Sequence, residues 1–430
     1  MDDDLKLKLN KNNKRVSTKK ESFQNKKQSI KNKLRNLINQ TFLDKKNENA
    51  IAIKTINENE KPMIKKQRNP GVDLVRLIAM YGAIINHLLY THRGVNKYSH
   101  YSKYLKILHI LTGWHNNGFA LISGIVGFKS FRYANLLYLW LYVVFYTLGI
   151  PYYFKNFKNI KHINTFYIND YFPVVFKRYW YVTAYFGMSL FLPIVNKGIS
   201  IITRFEFTLV VITTLGLFAV WHCTLNPDND IYNMYYGMSL IWIFTFYLTG
   251  AYIGKYKVEY HGFKKYIFCI ICAFIFLYSN YLFFKVINNE LHLGQGYFQS
   301  KLLSFLKNNF TDRYDGLLKI ITSITISLFF MQIHYNKYLA KFISCLGPLA
   351  FSIYLIHENH YVKENILSKT FKDEPDYLSL KSAMILVSLK GLKILLFCLI
   401  IDFFRNLLFK IFQIKRICIF LENSFKKLFS

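Results

Sequence analysis

The segment from Gly71 to Tyr90 is about twenty residues long and nearly all apolar, the length a helix needs to cross the hydrocarbon core of a bilayer. It also carries Asp73, Arg76 and His87, and ionisable groups at that depth constrain everything around them. Eleven positions at 100° each return His87 to within about 20° of the face that holds Arg76, and the helical rise sets the two about 16 Å apart along the axis. An unpaired arginine in hydrocarbon costs several kcal/mol, so both groups are expected to line a polar cavity rather than face lipid. Asp73, three residues before Arg76, offsets part of that charge.

The remaining composition extends this reading to the whole chain. Of 430 residues, 52% are hydrophobic and 18% aromatic, as expected of several spans with aromatic interfaces. A net charge of +32 is compatible with nucleic-acid binding, yet the basic residues sit in a polar tail and in short loops between apolar blocks. Membrane topology and membrane lipid account for that pattern, and no nucleic-acid partner is expected. The cysteines at 223, 269, 272, 345, 398 and 418 are scattered, and the one Cys-x-x-Cys lies inside an apolar run. They read as packing residues, with neither a disulfide framework nor a metal site. No cleavable signal peptide is expected, because the first apolar segment follows about seventy polar residues and is too long for one.

The fold class is therefore all-α, a polytopic integral membrane protein with about ten transmembrane helices. Residues 1–68 are expected to be a disordered basic tail on the cytoplasmic side, serving as a topology signal or a tether to anionic lipid. Residues 69–404 form the transmembrane domain, with later spans expected at 105–128, 133–153, 180–197, 205–222, 237–254, 266–284, 317–334, 342–360 and 382–404. With a cytoplasmic tail, the inner loops carry Lys129 and Arg132, then Lys197 and Arg204, Lys264 and Lys265, and Lys337 and Lys341, with almost no acid. Both termini then lie in the cytoplasm. Residues 405–430 read as a basic amphipathic helix on the inner surface.

Several stretches, taken in order, resemble the membrane-bound acyltransferase 3 family. They begin with Asp73-Leu-Val-Arg76 and, after ten residues, His87, similar to the Arg-x10-His pattern of that family's first span. Phe119-Ala-Leu-Ile-Ser123-Gly124, the basic turn Phe128-Lys129-Ser-Phe-Arg132, and Tyr179-Trp180-Tyr181 with Pro193-Ile-Val-Asn196 follow. Tyr247-Leu-Thr-Gly250-Ala-Tyr252 and Phe351-Ser352-Ile-Tyr354-Leu-Ile-His357 complete the series. The resemblance implies an integral-membrane O-acyltransferase that moves an acyl group, acetyl foremost, from acyl-coenzyme A to a hydroxyl of a glycan, a lipid-linked sugar or another hydroxylated acceptor. Acyl-coenzyme A is then a co-substrate and no cofactor is bound permanently. The appended hydrolase-like domain of some members is missing here, which leaves room for a partner protein in the final transfer.

The chemistry implied assigns roles residue by residue. His87 is the candidate general base, since its ordinary pKa near 6.5 suits proton transfer. Arg76 is the candidate phosphate ligand for the donor, joined by Lys129 and Arg132; the alternative for all three is a topology-setting cation. His115, Asn117, Arg178, Trp180, Tyr354 and His357 are candidates for the acceptor side. Each has a blander alternative, an interfacial anchor for Arg178 and Trp180 and a hydrogen bond between helices for the others. A competing function is a proton-coupled transporter or flippase using Arg76, His87 and His357 as a relay, and a third is a scaffold whose basic tails gather lipid or partners.

Overall fold

The computed structural model describes residues 69–91, 97–98, 102–129, 131–158, 160, 168–221, 230–256, 260–287, 313–375 and 378–428. The chain divides into two units, residues 1–67 and 68–430. The first unit, with the expected basic tail, lies outside the described residues, as does Cys223.

Every described regular element is helical. The first, α1 (Pro70–Asn86), starts where Pro70 supplies a pre-set φ and the Asn69 side chain accepts from the Gly71 amide at 2.8 Å. At His87 its hydrogen bonding loosens into a π turn that runs to Thr91, an irregularity frequent at functional positions. The Asn86 amide bridges this transition, donating to the Gly82 carbonyl at 2.8 Å and to the Thr112 hydroxyl at 2.6 Å.

Among the described residues, seven helices are long and apolar enough to cross a membrane: Pro70–Tyr90, Tyr133–Phe157, Trp180–Ile201, Arg204–Trp221, Gly262–Val286, Lys337–His357 and Leu380–Ile411. The expected count of about ten is not confirmed among them, for local reasons. The apolar run at 105–128 is interrupted at Gly113-Trp114 into α2 (Ser102–Thr112) and α3 (His115–Gly127). The runs at 237–254 and 317–334 form helices of only 16 residues, described below as α7 and α9. Sixteen residues rise about 24 Å, short of a hydrocarbon core of about 30 Å. Hydropathy measures the apolar run, whereas the helix obeys its caps: Ser239 caps one of these short helices, accepting from the Trp242 amide at 3.2 Å.

The other helices are α4 (Tyr133–Phe157), α5 (Trp180–Ile201), α6 (Arg204–Leu215), α7 (Leu240–Lys255), α8 (Gly262–Ile287), α9 (Leu317–Gln332), α10 (Lys337–Leu346) and α11 (Ala350–His357). They are followed by α12 (Leu380–Ile411) and α13 (Ile414–Leu428). α1 is the hub, packed on α2, α3, α9, α10, α11 and α12. Between α10 and α11 a tight turn at Gly347-Pro348-Leu349 lets α1 come close, because a Cβ on Gly347 would lie 2.5 Å from the Asp73 carboxyl. α12 continues beyond residue 404, and α13 follows a turn in which Gln413 adopts φ 51°. α13 exposes Phe420, Phe425 and Leu428 beside Lys426 and Lys427, and docks on α4 through Glu422, which accepts from the Ala134 amide at 3.4 Å.

α3 and α7 touch backbone to backbone. A Cβ on Gly250 would sit 1.9 Å from the Leu121 carbonyl oxygen, and one on Gly124 would sit 2.0 Å from that of Tyr247. Small residues at a helix crossing gain dispersion contacts that lipid does not replace. Gly250→Ala is therefore expected to force the pair apart and cost about 1–3 kcal/mol, the usual range for overpacking. A lower melting temperature in detergent would show it; an unchanged one would mean the crossing is slack.

Candidate functional site

His87, at the start of the π turn, meets the end of α11. Its Nδ1 contacts Oε1 of Glu358, and Nε2 of His357 lies 3.2 Å from the same Nδ1. The His357 ring is fully buried, and its own Nδ1 donates to the Ile353 carbonyl one turn back along α11. That bond fixes the His357 tautomer with a lone pair on Nε2, directed at His87. The hydrogen on His87 Nδ1 therefore faces two acceptors, a carboxylate oxygen and an imidazole lone pair, and among the described residues none bonds Nε2 of His87. Lys363 holds the second Glu358 oxygen. The His87 side chain is 26% exposed and Glu358 13%, so the trio is reached over His87. The donor atoms of His87, His357 and Glu358 all lie within 4.8 Å of one another, a grouping able to hold a metal ion.

The end of α11 is held by α5 and the residues just before it. The Tyr179 hydroxyl donates to the Leu355 carbonyl at 2.8 Å and accepts from Asn359 at 3.2 Å. The Tyr354 hydroxyl accepts from the Tyr181 amide at 3.4 Å. Tyr185, Tyr181, Tyr354 and His357 follow one another at ring separations of 6.4, 6.1 and 6.3 Å. This aromatic wall runs from Tyr185 of α5 to His357 of the trio.

Arg76 donates to the fully buried Asp73 carboxylate at 2.9 Å, as their spacing implies, and its side chain remains 22% exposed. α3 runs antiparallel to α1: His115 at its start is in electrostatic range of His87, while Ser123 near its end adjoins Tyr185. Beyond that end lies a cleft of about 470 Å³ lined by Phe128, Lys129, Pro193, Asn196, Lys197 and Lys255 among others. Lys129 is exposed at its mouth. Lys255 donates to the Ile199 and Ile202 carbonyls at 2.6 and 2.9 Å, stabilising the last turn of α5. Arg132 is exposed at the N-cap of α4 and does not line the cleft.

The acceptor candidates separate into two groups. His357 adjoins His87, and Tyr354 lies behind it with its ring 6.3 Å from that of His357. His115 is buried, its Nδ1 3.0 Å from the Thr112 carbonyl and its Nε2 3.4 Å from the Tyr314 hydroxyl. Asn117 is 1% exposed; it donates to the Tyr314 carbonyl at 2.7 Å and accepts from the Trp242 indole at 2.9 Å, so its amide ties α3 to α7. Arg178 pairs with Asp170 at 2.9 Å, and burial raises the Asp170 carboxyl although the arginine draws it down. Trp180 opens α5 with its ring 5.5 Å from Tyr181.

Glu358, Lys363, Tyr179 and Asn359 were missed by sequence reasoning. The available signal was an acid placed directly after His357 at the end of an apolar run. Among the described residues five cysteines are free thiols; Cys272, Cys398 and Cys418 are buried, Cys269 is half-buried and Cys345 is exposed, so the expected packing role does not extend to Cys345.

Comparison with curated proteins gives no match, and comparison with solved structures gives none. Residues 69–403 match the family model described as an acyltransferase domain, spanning the seven apolar helices up to the last turns of α12. That coverage of most of the chain makes this a multi-pass membrane protein of the acyltransferase 3 family, and acyltransferase activity is what the family implies.

Proposed function

We propose that the protein is an integral-membrane O-acyltransferase that takes an acyl group, acetyl foremost, from acyl-coenzyme A and delivers it to a hydroxyl of a glycan, a lipid-linked sugar or a similar acceptor. The observation that carries this reading is the contact of His87 Nδ1 with Glu358 and His357, which orients a base and leaves its Nε2 free. The acceptor hydroxyl gives its proton to Nε2 as its oxygen attacks the thioester carbonyl. Glu358 stabilises the imidazolium so formed. The tetrahedral intermediate then expels the coenzyme A sulfur, which takes that proton, and the acyl–oxygen bond remains.

Arg76, about 16 Å nearer the start of α1, suits the phosphate end of an extended pantetheine arm. Lys129 and Lys197 at the basic cleft add charge at the same end, and Arg132 adds charge close by. By the excess of positive charge this end is the cytoplasmic one, so both termini are cytoplasmic and the acceptor approaches from the opposite side. Tyr354 and His357 flank the acceptor hydroxyl; His115, Asn117, Arg178 and Trp180 shape the walls around it. A partner protein in the last step remains compatible with this arrangement.

The test is coenzyme A release by the purified protein with a panel of acyl donors and hydroxylated acceptors. Release that depends on the acceptor supports the reading, and none with any donor sinks it. Lys129→Gln is expected to raise KM for the donor about fivefold with kcat little changed, since an exposed charge contact is worth about 1 kcal/mol. Arg76→Gln is a poorer probe, because it also removes the 2.9 Å ion pair with the buried Asp73. The paired imidazoles favour one rival, a proton-coupled transporter; solute flux in proteoliposomes without any acyl donor would support that instead.

A further inference from the structure

We propose that His87, His357 and Glu358 also form a site for one divalent cation of the zinc class, and that filling it switches acyl transfer off. The second half rests on the acyltransferase reading; the first does not.

Two imidazoles and one carboxylate are a donor set that zinc accepts, with a fourth position open to water. At zinc–ligand distances of about 2.0–2.1 Å, tetrahedral donor atoms lie about 3.3 Å apart. The His87 Nδ1 to His357 Nε2 separation is 3.2 Å and Glu358 Oε1 lies 3.8 Å from His357 Nε2, while His87 Nδ1 and Glu358 Oε1 are in closer contact than a shared ion allows and must part by side-chain rotation to admit one. The outer contacts match as well. A ligating histidine commonly donates its other ring N–H to a backbone carbonyl, and His357 does so to Ile353. That bond already points a lone pair into the cluster.

Selectivity follows from the donors. Magnesium and calcium prefer sites built of oxygen, whereas two nitrogens and one oxygen suit zinc and its neighbours. The ion can enter over His87, the most exposed of the three. Lys363, held on the far oxygen of Glu358, opposes a dication and keeps the binding reversible. A reversible ion suits a switch better than a structural one.

The switch lies in the tautomer. In the base-competent state His87 carries its hydrogen on Nδ1 and its lone pair on Nε2. A cation on Nδ1 needs a lone pair on that nitrogen, so the single ring hydrogen must sit on Nε2, and the atom that should receive the acceptor proton is blocked. The ion also withdraws Glu358, which would otherwise stabilise the imidazolium. Metal and proton transfer thus exclude one another.

The experiment uses the full chain in detergent, freed of any affinity tag and of metal by a chelator. Zinc is titrated in competition with a chromophoric indicator, with magnesium as comparison. Wild type should hold one more zinc than His357→Ala or Glu358→Gln, each checked for a single symmetric elution peak. Cobalt, which needs no variant, should give the visible absorption of a tetrahedral nitrogen and oxygen site. Equal zinc content in all three proteins, or only octahedral cobalt in the wild type, overturns the site. Saturating zinc should lower coenzyme A release by about 10²-fold, the lower bound of a general-base contribution, and chelator should restore it. Zinc bound with release unchanged overturns the switch. Because the titration needs no acyl donor, it reports on the site even if the metal-free protein releases no coenzyme A, a result that would overturn the proposed function and the switch together.

Discussion

His87→Ala is expected to lower acyl transfer by about 10²–10⁴-fold, the contribution of a positioned general base, with the KM for acyl-coenzyme A little changed. Truncation removes only a side chain at the mouth of the trio, 26% exposed, and leaves His357 bonded to Ile353, so the protein should still elute as one species. Glu358→Gln separates orientation from charge. The amide oxygen of glutamine can still accept from Nδ1, but it cannot stabilise the imidazolium as a carboxylate does. A charge-assisted hydrogen bond exceeds a neutral one by about 1–1.5 kcal/mol, so this variant should lose about tenfold in kcat. The ordering decides the roles: a far larger loss for His87→Ala than for Glu358→Gln marks His87 as the base and Glu358 as its partner. Transfer undiminished in His87→Ala would remove the imidazole from the reaction.

What the sequence revealed about this site follows from which forces are local. Apolar runs state where helices lie, because a backbone in lipid must satisfy its own hydrogen bonds, and each expected span has a helix near its position. The Asp73–Arg76 pair is three residues apart on one helix, so its 2.9 Å bond could be read from spacing. The register of α1 likewise holds as far as Asn86, and His87 begins the π turn without having lost its face.

His357 was named from the sequence, but the other partner of His87 was not legible in the same way. Glu358 stands 271 positions later, at the point where an apolar helix gives way to a polar turn, and an acid there reads as a solvated loop residue. Its role depends on Gly347-Pro348 letting α10 and α11 close on α1, which no periodicity expresses. Asn117 was read with two outcomes, a contact to the acceptor or a hydrogen-bonded anchor. Its amide bonds Tyr314 and Trp242, and both partners come from distant parts of the chain, which the sequence could not supply. The interruption at Gly113-Trp114 was hidden because both residues are apolar, so hydropathy passes through a place where the helix does not.

The largest effect on stability is expected at a second buried cluster. On α12, Asp402 is 0% and Arg405 3% exposed, and the guanidinium grips both carboxylate oxygens at 2.8 Å. Tyr142 and Tyr146 of α4 donate to the same carboxylate at 2.9 and 2.7 Å, and the Arg405 guanidinium lies 3.8 Å from the Tyr142 ring centre. Tyr142 also packs edge-on to Phe351 of α11, 6.0 Å away, so this cluster braces the helix that carries His357. Asp402→Leu leaves an arginine inside the helix bundle that, among the described residues, keeps the Tyr138 hydroxyl at 3.1 Å and aromatic faces as partners. Breaking a buried pair by removing one partner costs about 3–5 kcal/mol, whereas replacing both partners with apolar groups is often near neutral. The double variant Asp402→Leu/Arg405→Leu should therefore recover much of the melting temperature that the single variant loses. Such recovery exceeds what independent sites would give and measures the coupling of the pair. If single and double variants melt together, the arginine left behind is not what destabilises the single variant, and the acceptor lost to Tyr142 and Tyr146 accounts for the whole loss.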